Sequence, residues 1–359
     1  MSNVITPAEV FPPGEFLRDE LAERGWTEAE FADILGRPAQ AVSEILNGKK
    51  EITARTAVAM GAALGTSAEL WLNLQSAHRL HLLKAEPAAA TNVERRARLR
   101  SLVPVRELQK RGWLPETKDL NVLEAAVCEF VGIPDPTGRP ELLAAAKRSN
   151  ATGGFTPEQI AWITRVRALG AGRVRTALDL AGLEALAGEI TTRIHDPTDL
   201  DQLHDWLAAV GVALVIELPL KSSKIDGVVI YANDGTPIVG LSTRGDRMDG
   251  FVFALLHEIA HLVLEHVKMG QVRLDEDVVA GTASGWEADA NAQAACWVLP
   301  GGVDIESTSK PSMPRIIAEA RTLGVHPSFV IGRLQQDGVL DWSDFRRSVP
   351  KVRPFVRIG

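Results

Sequence analysis

Phe251-Val-Phe-Ala-Leu-Leu-His-Glu-Ile-Ala-His-Leu-Val-Leu264 is an apolar run broken by two histidines and one glutamate. On an α-helix, positions four apart lie about 40° from one another, so His257 and His261 share one face a turn apart. Both rings can aim a nitrogen at one ion at the ~2.0–2.1 Å that Zn²⁺ takes. Glu258, about 100° round the helix, reaches a metal-bound water without being a ligand. Burying three such groups among leucines and phenylalanines is costly unless something compensates them, and a metal ion does.

Further along, Trp286 to Leu299 reads as an alanine-rich helix with acids near its start. Glu287 completes a set of two histidines and one carboxylate, with water in the fourth position. Asn291, one turn later on the same face, is placed to hold a ligand histidine by its second ring nitrogen. Asp289 is an alternative third ligand on another face. His266 falls one residue short of the longer three-histidine spacing, and Leu264 stands where that motif needs glycine, so His266 is not expected as a ligand. His326 and Tyr231 are candidates for stabilising an oxyanion, although a loop position and a hairpin surface account for them better. His195 and His204 are isolated.

At 359 residues the chain is too long for one ordinary core, and two or three domains are expected. Hydrophobic residues at 45% and charged residues at 24% describe a globular chain. A net charge of −7 argues against a generally polycationic nucleic-acid binder and leaves room for a local footprint. Cys128 and Cys296 allow no disulfide framework and fit a reducing compartment, with Cys296 expected in the core. Met1-Ser-Asn-Val-Ile5 lacks the order of a secretory leader, and no uncharged run approaches the ~20 residues that span a bilayer. A cytoplasmic protein without a membrane partner is expected.

Residues 12–83 read as five short helices. Gly25 closes the first, Thr27 and Glu30 form a capping box for the second, and Gly36 ends it. Pro38 opens the third, Asn47-Gly48 stops it, and Thr53 and Ser67 cap the fourth and fifth. Two short helices joined by a glycine turn in a small bundle form a helix-turn-helix pattern. Pro13-Gly-Glu-Phe-Leu17, Ser43-x-x-Leu46-Asn-Gly48, Ile52-Thr53 and Leu64-Gly-Thr-Ser-Ala-Glu-Leu-Trp-Leu-Asn-Leu-Gln75 resemble the HigA-type antitoxins of the Xre helix-turn-helix family. The resemblance implies a homodimer that lays the helix from Pro38 to Leu46 into the major groove of operator DNA. Gln40, Ala41 and Ser43 would then face base edges, with Lys49 and Lys50 near phosphates. One feature departs from such readers: seven Lys or Arg stand against eleven Asp or Glu between Met1 and Leu83.

Ala85 to Asn92 is small, polar and proline-bearing, as linkers are, and an arginine-rich run follows from Val93. Helical patterns at 122–130, 141–147, 157–168, 173–186 and 200–210 make residues 84–210 a helical connector. Residues 211–218, 227–232 and 236–242 then read as strands, the last two joined by the hairpin signal Asn233-Asp-Gly235. A small antiparallel sheet is expected, with 236–242 as the exposed edge that takes a peptide as an added strand.

This sheet, then Asp249-x-x-x-Phe253-x-x-x-His-Glu-Ile-x-His261, then Glu287-x-x-x-Asn291 with Leu299-Pro300 beyond, resembles the ImmA/IrrE metallopeptidases. The resemblance implies a zincin-like domain over 211–359, with His257, His261 and Glu287 binding Zn²⁺ and Glu258 as general base. The whole chain is thus expected to be α+β, mainly α. It would act as an antitoxin-like regulator with a fused zinc-peptidase domain and a cognate toxin or repressor as partner or substrate. The alternative is a non-catalytic antitoxin that uses this domain to bind a toxin.

Overall fold

The structure, a computed structural model, describes residues 10–84, 87–138, 140, 155–267, 272–276, 285–304 and 310–359. The chain divides into two compact units, Met1–Arg96 and Ala97–Gly359.

The first unit carries α1 (Pro13–Arg24), α2 (Glu28–Ile34), α3 (Ala39–Leu46), α4 (Ala54–Leu64) and α5 (Ala68–Lys84). The expected punctuation is realised. Glu30 N–H donates to Thr27 Oγ1 at 3.2 Å, and Thr27 N–H donates back to Glu30 Oε2 at 2.8 Å. Gly25 and Gly65 take the left-handed conformation that ends α1 and α4. Pro38 is the residue before α3 rather than its first turn. The apolar positions at helical spacing (Leu17 with Leu21, Val42 with Ile45 and Leu46) meet Phe31, Met60 and Trp71 in one core. Gly14 sits where α1 crosses the end of α3, and a Cβ there would overlap the Leu46 carbonyl oxygen. Phe31 is fully buried, so Phe31→Ala is expected to cost this unit about 3–5 kcal/mol. Amide-exchange protection against urea measures it, and a loss below ~1 kcal/mol would show that the bundle does not depend on this core.

The helix α6 (Pro87–Leu102) occupies the stretch expected as a linker and bridges the two units in sequence. The second unit continues with α7 (Val105–Lys110), α8 (Leu120–Val131), α9 (Pro157–Gly170), α10 (Leu180–Arg193) and α11 (Leu203–Ala209). Strands β1 (Ala213–Glu217), β2 (Ile225–Tyr231) and β3 (Pro237–Ser242) lead into α12 (Met248–Val263). Then follow β4 (Val272–Glu276), α13 (Trp286–Val298), α14 (Met313–Leu323) and α15 (Pro327–Gln336). The expected helix at 141–147 lies outside the described residues. The pattern at 173–186 starts later than expected, because Asp179 accepts from Gly182 N–H at 3.0 Å and so caps a helix beginning at Leu180.

The sheet runs β1-β3-β2-β4, with β1 parallel to β3 and the other two pairs antiparallel. The hairpin turn is as expected, with Ala232 N–H donating to Thr236 O at 2.9 Å and Gly235 at φ 88°. The sheet is nevertheless mixed, not antiparallel. Residues 236–242 also form its centre and not an edge, since β3 is paired on both sides. The edges are β1 and β4, and β4 has no further strand beside it among the described residues.

Both faces of the sheet are covered, which explains why β1 and β3 are buried along their whole length. Leu214, Ile216, Val229, Val239 and Leu241 point into a core with α10 to α15. Their alternates Ala213, Val215, Val228, Ile230 and Ile238 point into another core with α7 to α9. Helices α7 to α11 are therefore not a connector but form walls of the sheet domain. No helix among the described residues is long and apolar enough to cross a membrane.

Candidate functional site

The helix α12 packs across β2 and β3 and against α10, α13 and α15, and that burial explains its apolar flanks. Within it His257, Glu258 and His261 are at most 1% exposed. Glu287, in the first turn of α13, is buried beside them. His257 Nε2 and His261 Nε2 stand 3.0 Å apart. Glu287 Oε2 lies 3.4 Å from the first, and Oε1 lies 3.7 Å from the second. The two carboxylate distances are long for hydrogen bonds. Bonds of ~2.05 Å at a tetrahedral centre place ligand atoms roughly 3.3 Å from one another, and the three measured spacings bracket that value. His257, His261 and Glu287 therefore form a group able to hold a metal ion.

Glu258 lies against β2. A Cβ added to Gly227 would overlap Glu258 Oε1 and stand 2.7 Å from its Cγ and Cδ. Gly227 also lies at a register shift in the β2–β4 pairing. The bare Cα thus makes the room that the carboxylate occupies. Gly227→Ala is expected to lower stability by about 1–3 kcal/mol through overpacking, measured by chemical denaturation. An unchanged midpoint would mean that the carboxylate has space to move aside.

His266 has a role that spacing alone did not give it. After α12 ends, Glu265 takes a left-handed φ of 51°, and His266 N–H donates to His261 O at 2.9 Å. This turn brings His266 Nδ1 to 3.0 Å from His261 Nδ1. Were His261 Nε2 to bind a metal ion, its Nδ1–H would be the donor and His266 the acceptor, and that contact would fix the ring. His266 in turn stacks on Trp286, with ring centroids 5.3 Å apart and planes 10° from parallel. Asn291 was expected to hold a ligand histidine by its second ring nitrogen. Its Oδ1 is buried with no hydrogen-bond partner among the described residues, and at His261 the second ring nitrogen meets His266.

The other candidates fall outside the cluster. Asp289 is exposed on the far face of α13. His326 caps α15, its Nδ1 accepting from Ser328 N–H at 3.1 Å, and burial holds its pKa below the ordinary histidine value. Cys296 is exposed, contrary to expectation, whereas Cys128 is buried.

On α3, Gln40 is exposed and Ala41 and Ser43 are partly so, with Lys49 and Lys50 exposed after the helix. Glu44 engages two of these residues, accepting from Gln40 Nε2 at 3.1 Å and pairing with Lys50 at 3.6 Å. Asn47 links Ser43 to α1, donating to Ser43 O at 2.8 Å and accepting from Arg18 at 3.1 Å. Arg18 is thereby a cation beside α3 that reading α3 alone did not find.

A helix-turn-helix family model matches residues 17–71. The chain is 32% identical to an uncharacterized HTH-type transcriptional regulator, YddM, of Escherichia coli (strain K12), over 24% of this chain and 88% of that protein. It is 40% identical to antitoxin HigA-1 of Vibrio cholerae over 18% of this chain and 61% of that one. Among solved structures, Pseudomonas aeruginosa antitoxin HigA with higBA promoter is 34% identical, covering 23% of this chain and 91% of that one, with a TM-score of 0.22.

Proposed function

Because the chain belongs, through its first unit, to the Xre-type helix-turn-helix family, with HigA antitoxins among its relatives, we propose a DNA-binding, antitoxin-like transcriptional regulator with a fused zinc-dependent peptidase-like domain. The DNA half rests on the family. As a homodimer, the protein would set α3 in the major groove, with Gln40, Ala41 and Ser43 at base edges and Lys49 and Lys50 at phosphates. Glu44 would release Gln40 and Lys50 on binding. Binding of the full chain to DNA from its own promoter tests this half. The affinity is expected to fall steeply with salt, and Lys49→Ala with Lys50→Ala together is expected to flatten the log–log slope by about 2. Affinity equal to that for unrelated DNA would overturn it.

The peptidase half rests on one observation, the convergence of His257, His261 and Glu287 donors at 3.0–3.7 Å beside a buried Glu258. His257, His261 and Glu287 would hold Zn²⁺. Such an ion lowers the pKa of a coordinated water toward ~7 and polarises a peptide carbonyl. Glu258 would take the proton of the attacking water and return it to the leaving amine. His266 keeps the His261 ring in the tautomer and orientation that binding requires. A toxin or repressor segment would add as a strand beside β4, which has no further strand next to it among the described residues.

A second reading is favoured by the closure of the site, since Glu258 and His261 are fully buried. In that reading the domain binds a toxin without cutting it. Glu258→Gln decides between the two: toxin neutralisation equal to wild type supports binding alone.

A further inference from the structure

Beside the metal group, a cavity of about 500 Å³ opens in the second unit. Its walls come from the two helices that carry the metal ligands: Phe251, Phe253 and Ala254 of α12, and Asn291, Ala295 and Val298 of α13. Phe329 and the half-exposed Trp342 add to these walls, and polar residues, Arg244, Arg247, Asp249 and Arg333 among them, line the remainder. Ala254 precedes His257 by three residues and His261 by seven, so all three share one stripe of α12. Asn291 and Val298 follow Glu287 by four and eleven residues, on one stripe of α13. The cavity therefore continues the seam that holds the metal donors, starting about 4.5–6 Å further along each axis. Neither the three metal-group residues nor Glu258 is among those lining it.

The charges around the cavity are matched internally. Arg244 donates to Asp226 at 2.9 and 3.1 Å, Arg247 to Asp249 at 3.1 and 2.6 Å, and Arg333 to Asp337 at 2.8 Å. Asp246 accepts from the backbone N–H groups of Val352 and Arg353 at 3.1 and 3.0 Å. An ionic ligand would have to break one of these pairs, whereas an uncharged one leaves them intact. The volume falls within the ~300–1,000 Å³ of small-molecule sites.

We propose that this cavity binds a small, uncharged, largely apolar ligand of aromatic-ring or short-hydrocarbon type, and that its occupancy is coupled to the metal site. An occupant touches Ala254 and Asn291 together, and the separation of α12 from α13 sets the spacing of the histidine and carboxylate donors. A ligand that fits one separation best changes metal affinity, and metal changes ligand affinity by the same factor. The coupling rests on the zinc reading above, while the binding does not.

The test uses the full chain with N-phenyl-1-naphthylamine, a neutral dye that fluoresces in apolar surroundings. Saturable binding of one dye per chain is expected. Ala295→Phe and, separately, Ala254→Leu fill the two walls and should each weaken binding by about 10-fold, with helix content and zinc content unchanged. Zinc should shift the dye's Kd by about 5-fold or more, and the dye should shift zinc affinity equally in a chelator competition. Non-saturable binding, binding unaffected by both substitutions, or tighter binding of the sulfonated anilinonaphthalene analogue would overturn the site. Dye binding that follows the substitutions but ignores bound zinc overturns the coupling. A chain that takes no zinc but binds dye as expected loses the zinc reading and keeps the cavity.

Discussion

Glu258→Gln is expected to reduce peptide cleavage by about 10²–10⁴-fold while metal content and fold stay as in the native chain. Glutamine keeps the shape of the side chain, so the contact with Gly227 survives and the sheet is not disturbed. On the proposed reading, what is lost is the carboxylate that would take a proton from the attacking water. Fluorogenic peptide mixtures and self-processing on gels measure the effect, with metal analysis of the same preparation as control. Cleavage retained at the native rate would remove Glu258 from the chemistry. Cleavage absent from both proteins would favour a domain that only binds.

The second large effect concerns His261 and its neighbour. A structural zinc site contributes about 10–16 kcal/mol over four ligands, so losing one ligand costs roughly 3–4 kcal/mol, or about 10²–10³-fold in affinity. His261→Ala is expected to lose that much. His266→Ala leaves all three donors and removes the acceptor at His261 Nδ1 together with the stack on Trp286, so a smaller loss of about 10–100-fold is expected. Competition with a calibrated chelator ranks the variants. An affinity for His266→Ala equal to that of native protein would show that the 3.0 Å contact does not orient the ring.

Local features of this chain were legible in its sequence because they depend on residues close together. The capping box of Thr27 and Glu30, the turn at Asn233-Asp-Gly235 and the shared face of His257 and His261 each follow from a spacing of a few residues. Glu287 was singled out from an acid in the first turn of a second helix, and the structure brings it into one group with the two histidines that could hold a metal ion. Long-range pairing was not legible. The parallel match of β1 with β3 joins residues about 25 apart in number, and nothing local distinguishes it from an antiparallel neighbour. The unrecognised β4, Val272-Arg-Leu-Asp-Glu276, does alternate apolar with charged residues, and that was an available signal. His266 was discounted on motif spacing. Its return to His261 depends on a left-handed Glu265, and such turns are usually announced by glycine.

The peptidase half and the metal coupling both depend on a zinc centre in the second unit, and elemental analysis of the full chain purified without chelators tests it most directly. About one zinc per chain is expected in the native protein, and close to none when His257 and His261 are both replaced by alanine. No metal in the native protein together with no uptake on zinc titration, or equal metal in the doubly substituted protein, would contradict it.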